Sequence, residues 1–355
     1  MPAFEKAVAQ RCGAKHGIAV SNATAALHIA CRALGLGPGG RLWTSPNTFV
    51  ASANCALYCG ADVDFVDIDP KTLNISVDAL ADKLVSAEAT GALPDIIMPV
   101  HFGGQPCEMD RIAALRDKYG FAIIEDASHA IGASYQGEPV GNGRWSDITV
   151  FSFHPVKIIT TGEGGMALTN RDDIAERLQL LRSHGTTRQA ELMTGESHGA
   201  WYYEQTELGY NYRLTDLQAA LGLSQLSRID GILARRRDIA AAYGDLLAGL
   251  PLQTQTQHPD SQSAWHLFVT RLQTGGHKSR LEVFESMRNG GIGVNVHYIP
   301  VHLQPYYREK FGFRAGDFPE AERYYAQALT LPLYPGLTTE AQSRVVATLV
   351  ESLNA

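Results

Sequence analysis

The chain has 355 residues, 45% of them hydrophobic and 19% charged, with a formal net charge of −7; that is enough length and apolar content for one large and one smaller core-forming unit. Acidic and basic residues are mixed along the whole chain, so no basic stripe is present to neutralise nucleic-acid phosphates. No window approaches the apolar length of a membrane span, and the five cysteines (Cys12, Cys31, Cys55, Cys59, Cys107) are an odd count without CxxC spacing, which reads as reduced core residues of a cytoplasmic protein.

In chain order, the spacing predicts a strand over Gly17–Val20 that runs into a helix over Ala23–Leu34, where Leu27, Cys31 and Leu34 recur at helical intervals. A strand over Arg41–Thr44 follows, then, after Ser45-Pro46-Asn47, a helix from about Phe49 to Cys59. Asp64–Asp67, Asp95–Val100 and Phe121–Glu125 read as strands, with a helix over Met109–Tyr119. Strands apolar on both faces and alternating with helices predict an α/β fold with a large, mostly parallel sheet. Thr215–Leu247 predicts one long helical stretch opened by Thr215-Asp216 as N-cap. Beyond a polar linker over Gln253–Ser263, a strand over His266–Leu272, a helix over Ser279–Arg288 and a strand over Gly293–His297 predict a smaller C-terminal α/β unit. The expected division is a large domain over 1–230 and a small one over 231–355.

Four features then bear on chemistry. Lys157 follows the apolar run Phe151-Ser152-Phe153 and precedes Thr160-Thr161-Gly162-Glu163-Gly164-Gly165, where small residues would let a bulky planar cofactor approach the backbone. A lysine in a desolvated pocket gives up its proton readily and becomes a nucleophile. Asp126 ends the strand Phe121–Glu125, where a carboxylate can pair with a protonated pyridine nitrogen; His129 stands three residues on. The turn Ser21-Asn22-Ala23-Thr24 lies between a strand and a helix N-terminus, a place suited to phosphate, and Phe49 stands where an aromatic can stack on a ring. Singly, each has a plainer reading: a surface lysine, a turn or cap aspartate, a packed histidine, ordinary helix capping, a core phenylalanine. Together, in that order, they are the parts of a pyridoxal-phosphate (PLP) site.

The segments SNATAALHIA, SPNTFVASAN, EDASHAIGA, FSFHPVKIITTGEGGMALTN, LRSHG, GYNYRLTDLQAALGLSQL, VHYIPVHLQPYY and LPLYPGLT run through nearly the whole chain. In that order, the chain resembles the DegT/StrS-type sugar aminotransferases, PLP-dependent enzymes of the aspartate-aminotransferase (type I) fold. The resemblance implies Lys157 as the Schiff-base lysine, Asp126 on the pyridine nitrogen with His129 nearby, and Phe49 on the ring. It implies a phosphate site of Ala23, Thr24 and Ser152, completed by Asn211 from the other subunit of a homodimer. It further implies Arg213, His297, Tyr298 and His302 as substrate contacts. Within the family, HPVK, LRSHG, GLSQL and VHYIPVHLQPYY are most similar to enzymes that aminate C4 of UDP-4-keto-6-deoxy-N-acetyl-β-L-altrosamine, on the route to pseudaminic acid, with L-glutamate as donor. Family members continue upstream of Pro2-Ala3-Phe4-Glu5 with a segment that helps bind the nucleotide sugar, so cofactor binding is expected to depend less than substrate binding on what precedes this chain.

Other readings stay open at this point: another nucleotide keto sugar (dTDP-linked, or 3-keto), or a PLP-binding regulator without catalysis. A sister class that removes a sugar hydroxyl carries histidine in place of the lysine, and Lys157 stands against it. The dinucleotide fingerprint, the P-loop and the HExxH zinc motif are absent from the sequence, so no metal is expected.

Overall fold

A computed structural model describes residues 1–273 and 278–354. Its centre is a seven-stranded sheet made of β1 (His16–Val20), β2 (Arg41–Thr44), β3 (Asp62–Phe65), β4 (Ile96–Met98), β5 (Ala122–Asp126), β6 (Ile148–Ser152) and β7 (Gly165–Thr169), in spatial order β1-β7-β6-β5-β4-β2-β3. Only β7 runs against its neighbours, β1 and β6; the remaining pairs are parallel. Strands β4, β6 and β7 are buried at every position, as expected of strands covered by helices on both faces.

The covering helices are α1 (Pro2–Cys12), α2 (Ala23–Ala33), α3 (Ala51–Tyr58), α4 (Val77–Thr90), α5 (Met109–Tyr119) and α6 (Asp172–Arg182). Helix α2 is mostly apolar and contributes Leu27, Ile29 and Cys31 to the main core. Helix α4 lies outside the elements expected from residue spacing, although Ser76 caps it by accepting from the Ala79 N–H and Gly91 ends it at φ 65°.

The stretch expected as one helix is two, α7 (Asp216–Leu226) and α8 (Ile229–Leu246), with Thr215 and Gln218 forming a reciprocal capping box at the start of α7. A second sheet of β8 (Leu252–Thr254), β9 (Phe268–Leu272) and β10 (Ala328–Leu331) is antiparallel throughout. It packs with α9 (Arg280–Asn289) and α12 (Thr339–Asn354) around its own core, which includes Tyr243, Phe268, Met287 and Leu349. Between α9 and α12 run the short α10 (Pro305–Phe311) and α11 (Pro319–Gln327). Helix α8 belongs to both cores: Ile229 and Leu233 pack with Phe4 and Phe153, whereas Ile239, Ala240 and Tyr243 pack on the second sheet.

The strand expected over Gly293–His297 does not form. One bridge joins Asn295 to Thr330, the Asn295 side chain accepts from the Val296 N–H at 2.8 Å, and the Val294 N–H turns back to the Ile292 carbonyl. These local bonds compete with a ladder and win. The polar stretch expected as linker likewise contributes Gln253 and Thr254 to the second sheet.

Candidate active site

The carboxyl ends of the parallel strands β1, β2, β5 and β6 open on one cavity of about 680 Å³, the place where open α/β sheets present side chains to ligands. At the end of β1, Asn22 is extended and caps α2 by accepting from the Ala25 N–H at 2.8 Å. Ala23 and Thr24 line the cavity, and the first N–H groups of any helix lack intrahelical acceptors and carry its positive dipole end. Ser152, at the end of β6, lines the same cavity.

Asp126 closes β5 with its carboxylate buried against the cavity. Its Oδ2 accepts from Ser52 Oγ at 2.6 Å, and its Oδ1 accepts from Ser128 Oγ at 2.6 Å and from the Ser128 N–H at 3.1 Å. Neither serine was singled out in the sequence. Each reads there as an ordinary helix or turn residue, and the visible signal was only the placing of Ser52 one turn after the stacking aromatic.

Lys157 sits in the turn that follows β6, where its N–H donates to the His154 carbonyl and the Thr160 hydroxyl holds the Phe153 carbonyl. Burial lowers its ammonium to about 8, partly offset by the attraction of Asp126. At that value roughly a tenth of the amine is free base at pH 7, far more than for an ordinary lysine. Phe49, just before α3, is 59% exposed although it faces the cavity, so its ring is available for stacking. Tyr298 also lines the cavity, 6.3 Å from Phe49 between ring centres, with its hydroxyl 3.3 Å from His129 Nε2. Burial and the nearby Lys157 keep His129 far below the usual imidazole range, and burial raises the Tyr298 phenol.

The glycines after Lys157 do something other than admit a cofactor. A Cβ on Gly165 would fall 2.6 Å from the Ala23 nitrogen, and one on Gly164 would strike Thr161 Oγ1. They let β7 pass against the start of α2 and the turn close on itself.

Eight of the expected residues therefore converge, and four do not. Asn211 and Arg213 are exposed outside the cavity of their own chain, on a segment whose Tyr212 carbonyl accepts from the Ser21 N–H at 2.7 Å. His297 stands behind Tyr298 with Nδ1 2.9 Å from Thr330 Oγ1, and burial, then Lys157, lowers it to about 4. His302 also lies outside the cavity lining: its ring is buried against Phe318 and its Nε2 is 2.9 Å from Glu322 Oε1.

These features fit PLP: a helix start for the phosphate, a hydroxyl-held carboxylate for the pyridine nitrogen, an exposed aromatic for the ring, and a desolvated amine for the aldehyde. The DegT/DnrJ/EryC1/StrS aminotransferase family model matches residues 1–350. The Bacillus subtilis spore coat polysaccharide biosynthesis protein SpsC is 40% identical over 97% of this chain and 87% of its own. Among solved structures, Helicobacter pylori PseC, an aminotransferase involved in the biosynthesis of pseudaminic acid, superposes with a TM-score of 0.90 at 28% identity, over 99% of this chain and 91% of that one. The Streptococcus pneumoniae sugar aminotransferase Spr1654, described as putative, is 28% identical and matches with TM-scores of 0.89 in its PMP-form and 0.88 in its PLP-form, over 99% of this chain and 91% and 90% of those. The chain belongs to the DegT/DnrJ/EryC1/StrS family and is a PLP-dependent sugar aminotransferase.

Proposed function

We propose that this enzyme aminates C4 of a UDP-linked 4-keto-6-deoxy-N-acetylhexosamine with L-glutamate as donor, giving an amino sugar for pseudaminic-acid-type surface glycans. The supporting observation is that the Lys157 amine and the Ser52- and Ser128-held carboxylate of Asp126 line one cavity. Motif resemblance and the likeness to PseC favour this sugar; the likeness to SpsC favours a surface polysaccharide more broadly.

In this reading PLP, when bound, supplies the electron sink that accepts charge as the donor's Cα–H bond breaks. Ala23, Thr24 and Ser152 take its phosphate, and Asn211 of a second copy completes that cradle in a homodimer. Phe49 and His129 flank the ring. Asp126 keeps the pyridine nitrogen protonated. Lys157 anchors the cofactor and, once freed, its Nζ takes up and returns a proton, a task suited to an amine that burial lowers to about 8. Tyr298 donates to the keto oxygen of the sugar. Arg213 and His297 act around the substrate's outer part or behind Tyr298. We assign the chain to the cytoplasm and divide it into a large domain over 1–230 and a small one over 231–355, a boundary just inside the start of α8.

Turnover with a panel of UDP- and dTDP-linked 4-keto and 3-keto sugars, with the product identified by NMR, tests this. Preference for a dTDP-linked or 3-keto sugar would replace the substrate proposed here, and PLP absorbance with no response to glutamate or other amino acids would point to a regulator.

A further inference from the structure

Behind the cavity wall, His129 has a partner that the site has not so far used. The rings of His129 and His266 lie 4.4 Å apart, both are buried, and the Nδ1 of each lacks a hydrogen-bond partner among the described residues. His266 itself is held through its main chain. Nη1 of the buried Arg236 donates to the carbonyls of Trp265 at 3.0 Å, His266 at 3.3 Å and Leu333 at 3.1 Å. Opposite, Gly104 at φ +104° leaves no room: a Cβ there would lie 3.0 Å from both the His129 carbonyl and the His266 nitrogen. A guanidinium on one side and a glycine on the other thus hold the two imidazoles at a set separation.

A neutral imidazole has one N–H, and where it lies decides what Tyr298 can offer. A proton on His129 Nδ1 would bury an N–H without an acceptor. A proton on Nε2 leaves only an unpartnered lone pair, the less costly defect. The Nε2–H then donates to the Tyr298 oxygen, 3.3 Å away, and the phenolic O–H is free to point into the cavity.

We propose that His266 is a positioning residue: by packing a ring beside His129 and offering its Nδ1 no partner, it keeps the His129 proton on Nε2 and leaves the Tyr298 hydroxyl as donor to the keto oxygen of the substrate. This rests on the substrate reading above for what Tyr298 donates to, and on the geometry alone for the tautomer. A second polar group beside Nδ1 would draw the proton there, and Tyr298 would then spend its O–H on His129.

Nitrogen NMR of the full chain carrying isotope-labelled histidine, with and without PLP, reads the tautomer. His129→Gln identifies the His129 signals by their loss, and Tyr298→Phe identifies them independently by a shift at Nε2. The expected result is a protonated Nε2 and an unprotonated Nδ1 in the wild type. His266→Phe should keep that state. His266→Asn, which brings an amide oxygen beside Nδ1, should move the proton and slow the keto-sugar half-reaction about tenfold relative to the glutamate half-reaction, at unchanged PLP content. A wild-type proton on Nδ1 overturns the proposal, as does an equal loss of both half-reactions in the Phe and Asn variants, which would mark His266 as generally structural. The expected tautomers in an enzyme that aminates no keto sugar would support the positioning and overturn the substrate reading alone.

Discussion

The hydroxyl of Ser52 donates to Asp126 Oδ2 at 2.6 Å, so the first turn of α3 holds the carboxylate that ends β5. The same hydroxyl is 2.8 Å from Thr48 Oγ1, and Ser128 grips the other carboxylate oxygen. Ser52→Ala should therefore loosen an acidic group that must face a pyridine nitrogen squarely. A hydrogen bond to a charged group contributes about 1.5–3 kcal/mol, and we expect PLP to bind roughly tenfold or more weakly, measured by titration of cofactor absorbance. Unchanged affinity would mean that Ser128 alone orients Asp126.

Lys157 is expected to carry the cofactor covalently. Borohydride reduction followed by peptide mapping should find the label on Lys157, and Lys157→Ala should lose turnover. A label on any other lysine rules out the assignment.

Lys157 also has a stability consequence in the cofactor-free chain. Its folded pKa of about 8 lies below the ordinary 10.5, so the unfolded chain binds the extra proton between those values and stability rises with pH across that window. Below about 8 the full cost of burying the ammonium is present. Lys157→Met should thus stabilise cofactor-free protein at pH 7 by an amount of order 1–3 kcal/mol, with the advantage shrinking from about pH 8 towards 10.5 in denaturant melts. A variant no more stable than wild type at pH 7 contradicts the desolvated amine.

Asn211 lies outside its own chain's cavity, which suits a role across a subunit boundary. Mixing Asn211→Ala with Lys157→Ala subunits should restore one intact site per heterodimer and partial activity. Folded heterodimers that stay inactive count against a shared site.

Tyr298 should separate the two half-reactions. Tyr298→Phe removes a hydroxyl that lines the cavity, with a cost of about 1–3 kcal/mol where it meets the keto oxygen. Conversion of PLP to its amine form by glutamate should stay within about tenfold. His297→Ala should behave similarly through loss of support behind Tyr298. Stopped-flow absorbance that shows equal losses in both halves would assign the segment to cofactor support.

Much of this was legible in the sequence because strand-end residues carry it: Asp126, Ser152 and the Ser21–Thr24 turn follow apolar runs whose direction fixes where they point. Lys157 and Phe49 were legible through motif order. What escaped were groups brought in across the fold. Ser52 and Ser128 meet Asp126 only because α3 packs beside β5, and His266 reaches His129 only because Gly104 lets two loops touch. The break in the long helix at Ser227 and Arg228 was hidden because those residues tolerate helix well. At His297 and His302, residue type suggested donors, whereas packing against Thr330 and Glu322 occupied a nitrogen of each.

Helix α8 begins among the side chains of the large core and finishes among those of the small one. A rod anchored at both ends transmits loss of order from one to the other: melting either core strips half the contacts of α8 and leaves the remaining half too short to persist alone. The two sheets should consequently come apart in one cooperative step on heating.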